Sequence, residues 1–393
     1  MQSLALPTPS DEEMVHSLKL IQKIKDKLQQ KTSITFDAYM DMTLYESQLG
    51  YYTSSKYKFG EMGDFITAPD ISTLFSQTFG KVFIEIFKGL SSQNVLEFGA
   101  GRGQFAIDCI RYLLAQKVML EHYYIVELSA SLRLEQQHYL KTELPEFFDK
   151  VIWLTELPQK GFKGIVFANE VLDAMPVSLF KKVDGKVHEI GVILSERRFD
   201  YIDLGDQNTP LNNAVSEIEK ELGCLPNQYL SEINLWVEPW VRSLYEFMEE
   251  GVVFLCDYGY TRKEYYAPSH SKGTLQCYYK HHVHDDPFVY PGLQDITAHV
   301  DFTAVAIAAD DCGFDLEGYL TQSQFLTVNG IGALYEKLVD SEQDEMKNLQ
   351  QTQGFKKLTS PEGMGDMFKV MAFSKGIPDD IPCFDLLNMM HKL

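Results

Sequence analysis

Asn94-Val95-Leu96-Glu97-Phe98-Gly99-Ala100-Gly101-Arg102-Gly103 is the stretch on which the reading of this chain turns. A short apolar run carrying one acid passes into three alternating glycines, and helical patterning follows from Gln104 to Gln116. Glycine at such a handover lets the backbone turn sharply and approach a ligand with no Cβ in the way. Further strands are expected at Tyr123 to Glu127, Val151 to Leu154 and Gly164 to Ala168, with a second helix at Ser129 to Thr142. Short apolar runs alternating with helices are the pattern of βαβ units on a parallel sheet. The expected fold class is therefore α/β, a Rossmann-like core in which helices flank a mostly parallel central sheet.

The glycine pattern also excludes ligands. A dinucleotide fingerprint wants glycine at its first, third and sixth positions, and the sixth here is Gln104. No Gly-Lys-Ser/Thr follows, so a phosphate-cradling loop is not supported. Gly-x-Gly-x-Gly after an acidic strand end resembles the arrangement of S-adenosylmethionine (SAM) methyltransferases, whose cofactor carries no phosphate. On that pattern Glu97, Gly99, Gly101 and Gly103 border the cofactor. Glu127, closing the second strand, is placed to accept hydrogen bonds from ribose hydroxyls, as acidic residues do in nucleotide-binding α/β folds. Trp153 and Leu154, at the end of the third strand, offer apolar faces to the adenine ring, although core packing uses the same residues.

A second constellation follows the fourth strand: Asn169-Glu170-Val171-Leu172-Asp173-Ala174-Met175-Pro176. Open α/β sheets bind ligands outside the carboxyl ends of their strands, so two carboxylates and an amide would face the cofactor's methyl. Methyl transfer needs a nucleophile held in line more than it needs acid–base help. If that nucleophile is an arginine guanidinium, Glu170 and Asp173 would grip two of its nitrogens in the paired geometry arginine favours. That draws charge toward the acids and leaves the third nitrogen more nucleophilic. Asp is also a favoured helix N-cap, which is the structural alternative for Asp173.

The chain has 393 residues, 35 Lys and Arg against 56 Asp and Glu, and a formal charge of −21. Such a surface repels phosphate backbones and anionic lipid, so nucleic acid is excluded as the expected partner and a cationic one fits. The six cysteines contain no Cys-x-x-Cys pair, which favours reduced thiols. No apolar stretch is long enough to span a membrane. Met1 to Ser10 has neither a basic start nor an apolar block, so a cytoplasmic location is expected, with the mitochondrial matrix a weaker alternative. Met14, Leu18, Ile21, Ile24 and Leu28 predict an amphipathic N-terminal helix capped by Ser10. Asp184-Gly185 between two β-type runs predicts a hairpin, Val252 to Cys256 a fifth parallel strand, and Phe368 to Phe373 a late strand closing the sheet.

Several separated blocks match one family. Gly63-Asp64-Phe65-Ile66-Thr67-Ala68-Pro69-Asp70-Ile71-Ser72, Leu96 to Gly103, Asn169 to Pro176, Asp257-Tyr258-Gly259, Gly273-Thr274-Leu275, Asp295-Ile296-Thr297-Ala298-His299-Val300-Asp301-Phe302, Thr321-Gln322 and Gly363-Met364-Gly365 together resemble the MidA-like family. The resemblance spans roughly residues 34 to 373. It implies a class I methyltransferase core with SAM as cofactor and, in the best-understood mitochondrial members, symmetric dimethylation of a protein arginine during assembly of respiratory complex I. It also implies that Asp64, Thr67 and Pro69 lie over the cofactor, and that Glu170, Asp173 and Asn169 form the catalytic group. Asp70 stands where the family pattern has Glu. Methylation of another acceptor, or SAM-binding assembly work without essential catalysis, remain alternatives, and a homodimer is compatible with the chain.

The expected domain plan has an N-terminal helical and loop cap at 1–80 and the cofactor-binding core at 81–180, completed by 245–262 and 366–376. Insertions at 181–244 and 263–365 build a substrate or interface subdomain. Lys280-His281-His282-Val283-His284-Asp285-Asp286 gathers imidazoles and carboxylates, but no oriented second ligand group accompanies it, so a polar loop is expected and no metal. Asp295, His299 and Asp301 are candidates for a proton relay or for a buried polar network.

Overall fold

The computed structural model describes residues 6–54, 66–196, 198–377 and 381–393. Seven strands of one large sheet set the architecture: β1 (Asn94–Phe98), β2 (His122–Val126), β3 (Val151–Leu154), β4 (Phe162–Asn169), β5 (Met248–Tyr260), β6 (Asp315–Thr321) and β7 (Phe368–Lys375). They lie in the order β3-β2-β1-β4-β5-β7-β6. The five strands from β3 to β5 run parallel, and β7 is antiparallel to both of its neighbours. The α/β Rossmann-like class read from the sequence is the observed fold.

The central strands are apolar on both faces, as a sheet covered by helices on two sides requires. Val252 to Cys256 of β5 and Ile165 to Phe167 of β4 are fully buried. On one face a cluster of aromatic rings centres on Phe79, in the helix Thr73–Phe87. Its ring lies 4.9 Å from those of Phe167 and Phe325 and 5.0 Å from that of Phe75. On the other face the helices Val237–Phe247 and Phe302–Cys312 cover Leu96, Val166, Val253 and Phe373.

Chain connections differ from the sequence-based plan in two places. The edge strand β6 falls inside 263–365, a stretch read as insertion, because its alternation is interrupted at Gly318, where the ladder to β7 shifts register. The helix Thr73–Phe87 crosses the expected boundary at residue 80 and packs on the main sheet. The N-terminal helix Asp11–Lys31 is capped by Ser10 and Glu13 in a reciprocal box. It buries Ser17, Leu20, Ile24 and Leu28, while Leu18 faces outward.

Two smaller sheets rise beside the carboxyl ends of the parallel strands. One joins Ser178–Val183, Lys186–Ser195, Arg198–Gly205 and Leu230–Ile233 to the N-terminal strand Ser33–Thr35. Its first hairpin turns at Asp184 (φ 49°) and Gly185 (φ 81°), both in the left-handed region that a two-residue hairpin demands. The other joins Gln276–Tyr279, His282–His284 and Asp295–Thr297. Here Lys280 and His281 form the turn, which splays the histidine-rich stretch along a hairpin. Among the described residues no group of three or more His, Cys, Asp or Glu side chains is arranged to hold a metal, and no helix is long and apolar enough to cross a membrane.

Phe79 touches the ring cluster from every side, so its removal leaves a cavity that the rigid sheet cannot close. Phe79→Ala is expected to cost about 3–5 kcal/mol of unfolding free energy, read as a lower midpoint in denaturant titration.

Candidate active site

The chain order reverses at the β1/β4 pair, from which β2 and β3 extend one way and β5 the other. A crevice opens outside the strand ends at such a point. Here it becomes a cavity of about 800 Å³, within the range of small-molecule sites. The glycine turn after β1, Glu127 after β2 and the acidic loop after β4 all line it. So do Tyr45, Tyr52, Tyr258, Tyr278, Asp295 and His299, which come from the N-terminal segment, the end of β5 and the inserted sheet.

Gly99, Gly101 and Gly103 have φ of 60°, 55° and 90°, a conformation that side chains rarely adopt. A Cβ at Gly99 would sit 3.1 Å from Val171 Cγ2, so the turn is closed tightly against the acidic loop. Gly103 differs from the other two: it opens the following helix and faces Leu140, 3.2 Å from where its Cβ would be, and does not reach the cavity. Glu97 lines the cavity and accepts a 2.7 Å hydrogen bond from the Tyr123 hydroxyl. Burial pushes its carboxyl up to about 8.

Glu127 is held from two directions. One carboxylate oxygen accepts from the Ser129 N–H at 2.8 Å, and the other from Gln136 Nε2 at 3.1 Å. Gln136 also donates to the Gly101 carbonyl at 2.8 Å, and its own carbonyl accepts from Trp153 Nε1 at 3.0 Å. This corrects the expectation for Trp153 and Leu154. Trp153 turns away from the cavity toward Phe148 and braces Gln136, while Leu154 packs beneath the sheet's second core and accepts the Glu127 N–H through its carbonyl. The residues that line the cavity after β3 are Thr155, Glu156 and Leu157. Thr67 and Pro69 line it as well, with the Thr67 hydroxyl donating to Asp70 at 2.9 Å. Asp64 lies outside the described residues.

The acidic loop owes its course to Asp257. A single carboxylate oxygen, Oδ2, accepts the backbone N–H groups of Val171, Leu172 and Asp173 at 3.0–3.2 Å. Glu170, just before them, has φ of 53°, a strained value for a residue with a side chain. Its carboxyl accepts from Asn169 Nδ2 at 3.0 Å, and burial, reinforced by the Asp173 charge, raises it to about 8. Asp173 does not serve as a helix cap. One of its oxygens accepts from the Tyr258 hydroxyl, and the other, Oδ1, is buried with no hydrogen-bond partner, as is Asn169 Oδ1. Burial raises the Asp173 and Asp257 carboxyls too.

Beyond the acidic loop, Tyr52 donates to Asp295 at 2.7 Å, Tyr45 donates to the Ala174 carbonyl at 2.9 Å, and the two tyrosine rings stack at 5.5 Å. His299 packs against the rings of Tyr258 and Tyr260, and burial lowers it to about 4, so it is neutral at physiological pH. Asp301 is separate from this group: it caps the helix Phe302–Cys312 and pairs with Arg262. Of the two readings offered for Asp295, His299 and Asp301, a relay of all three is not formed, and Asp301 serves the packing of the inserted segment.

The cavity thus gathers glycine-bared backbone, apolar side chains, and one carboxyl and one amide oxygen left without partners, which fits a ligand bearing a flat nucleoside and positive charge. Removing the anchor of the acidic loop is expected to loosen it. Asp257→Ala orphans three backbone donors and should cost about 1–3 kcal/mol, measured by denaturant unfolding, and abolish turnover.

Comparisons with known proteins agree with the geometry. The family model described as "Putative S-adenosyl-L-methionine-dependent methyltransferase" matches residues 78–320. The chain is 30% identical to the protein arginine methyltransferase NDUFAF7 homolog, mitochondrial, of Drosophila melanogaster, across 91% of this chain and 85% of that one. It is 24% identical to the protein arginine methyltransferase NDUFAF7, mitochondrial, of Homo sapiens, across 90% and 82%. A crystal structure from Burkholderia thailandensis bound to S-adenosyl-homocysteine superposes with a TM-score of 0.93 at 35% identity, covering 99% of this chain and 100% of that chain. On this evidence the chain belongs to the MidA-like family of methyltransferases, and its cofactor is S-adenosyl-L-methionine.

Proposed function

We propose that this methyltransferase acts on an arginine guanidinium of a partner protein. The observation that carries the reading is the buried, unsatisfied Asp173 Oδ1 beside Glu170, both on the wall of the cavity that also holds the glycine turn. Buried carboxyl groups left without partners are costly unless a ligand completes them. A guanidinium offers five N–H donors in a planar fork and completes two carboxylates at once. The names of the Drosophila and human relatives support the same acceptor. The acceptor put forward first, following the family resemblance, is an arginine of a respiratory complex I subunit, carried to the symmetric dimethyl state.

In this reading Gly99 and Gly101 bring bare backbone against the nucleoside, Glu127 receives the ribose hydroxyls, and Thr67 and Pro69 cover the site. When bound, SAM supplies a methyl group on a sulfonium, which needs an aligned lone pair more than a proton acceptor. Glu170 and Asp173 fix the guanidinium, with Asn169 setting the Glu170 side chain. The Tyr258 hydroxyl keeps Asp173 turned toward the cavity. Methylating a guanidinium releases one proton, and Glu170, raised to about 8, is suited to hold it at neutral pH.

Two outcomes follow. Glu170→Gln should lower kcat/KM for the arginine acceptor about 10–100-fold, the worth of one charge-assisted hydrogen bond, while S-adenosyl-homocysteine binding measured by calorimetry stays within twofold. Because Glu170 must ionise to grip a cation and its carboxyl sits near pH 8, kcat/KM should climb as pH rises from below neutrality through that value. The Glu170→Gln profile should lose the rise near pH 8 and keep only the one at lower pH that belongs to Asp173. The acceptor itself is found by incubating the protein with labelled SAM and host lysate from a deletion strain and locating the label by mass spectrometry. Label on lysine, or on small molecules alone, would refute the arginine reading.

A further inference from the structure

A second cavity, of about 870 Å³, lies outside the methyl-transfer site. The helix Thr209–Leu222, the strand Leu230–Ile233, the start of the helix Val237–Phe247 and the helix Phe302–Cys312 wall it. Ile218, Ile233, Leu235, Val237, Val300 and Ile307 give it an apolar floor, and Ile307 is left 43% exposed. Six acids line it against two cations, Lys220 and Arg262. Both cations are already engaged: Lys220 pairs with Glu217 at 2.5 Å, and Arg262 with Glu221 at 3.0 Å and Asp301 at 3.5 Å. Of the acids, Glu232 turns inward to Tyr265 and Thr274, while Glu217, Glu221, Glu238 and Asp311 are exposed.

The two cavities share a wall. Asn234, Leu235, Val237 and Glu238 line the second, while Trp236 and Trp240 of the same stretch line the first. Asn234 joins this wall to the acidic loop: its side-chain oxygen accepts the Trp236 N–H at 2.9 Å, and its Nδ2 donates to the Leu172 carbonyl at 3.4 Å. Trp236 is 54% exposed beside the first cavity, and Glu238, two residues on, is exposed beside the second. A bound chain that leaves the methyl-transfer cavity over Trp236 meets the groove within a few extended residues, at about 3.3–3.6 Å each.

An apolar floor with acidic edges calls for an occupant that carries both apolar side chains and positive charge. A second copy of this chain, at −21, brings the wrong charge. We propose that the groove docks a basic, partly apolar segment of the acceptor protein, adjoining the residue whose side chain enters the methyl-transfer cavity. The proposal rests on the acceptor being a protein, as in the arginine reading, and adds where that protein is held. Contacts in the groove select the acceptor without touching the reacting atoms, and the opposite charge speeds its encounter with the enzyme at low salt.

The test uses the whole protein, labelled SAM and lysate from the deletion strain, and reads the lysate concentration that half-saturates label transfer to protein. Asp311→Lys reverses a charge in the groove and should raise that concentration about fivefold, with the gap to wild type narrowing as salt is added. Asp310→Lys makes the same change one residue away, at an exposed position outside the groove, and should stay within twofold of wild type. Ile307→Lys replaces part of the floor with the occupant's own charge and should raise the concentration at least as far as Asp311→Lys. Calorimetry with S-adenosyl-homocysteine checks that each variant is folded, and Asp311→Lys decides the matter if Ile307→Lys is not. Wild-type half-saturation in Asp311→Lys overturns the groove even when the label sits on arginine, as do equal shifts at Asp310 and Asp311. Label on lysine with the Asp311 shift intact refutes the arginine reading and leaves the docking groove standing, whereas a lysate with no labelled protein overturns both.

Discussion

One carboxylate oxygen holds the working part of this molecule in place. Asp257 Oδ2 gathers three consecutive backbone N–H groups at the start of the acidic loop and so turns the chain back over the crevice as soon as it leaves β4. The turn is tight enough to place Glu170 in left-handed backbone and Val171 against the glycine turn. Three N–H groups converge on this one oxygen, and together these bonds offset the strain of the turn. Because Asp257 belongs to β5, the position of the loop is set by the parallel sheet itself and not by the loop's own sequence.

That arrangement places several acids in one low-dielectric cavity. Burial raises the carboxyl groups of Glu97, Glu170, Asp173 and Asp257, and the charges of neighbouring acids raise Glu170 and Asp257 further. Groups in this state gain from any ligand that brings positive charge, and a sulfonium with an ammonium does so. The site's affinity for its cofactor class and its reluctance to ionise when alone are two views of the same burial.

The sequence was most legible where the chemistry is local. Three alternating glycines, the four strands from Asn94 to Ala168 and the Asp184-Gly185 hairpin can each be read from neighbouring residues, because φ preference and apolar runs act over short distances. The missing readings involve partners far apart in the chain. Trp153 looked suited to a flat ligand, yet Gln136, seventeen residues earlier in the chain, claims its ring N–H. Asp257 appeared only as the end of a strand, since its three donors lie 84–86 residues away. Asp301 looked like a companion of Asp295 and His299, but the start of a helix engages it instead. Trp236 and Trp240, which line the cavity, carry no periodic signal that distinguishes them from core residues.

The order of the main sheet has a consequence for how the chain matures. The last of these seven strands in chain order, β7, is not at the margin: it lies between β5 and β6 and bonds to both. Until Phe368–Lys375 has emerged from the ribosome, β6 has no neighbour in this sheet and β5 keeps an open edge just beside the anchor of the acidic loop. Unpaired edges of this kind invite association with other chains. The nascent protein therefore carries an exposed seam until Phe368–Lys375 is in place, and a chain broken off ahead of Phe368 would be sticky rather than merely shortened.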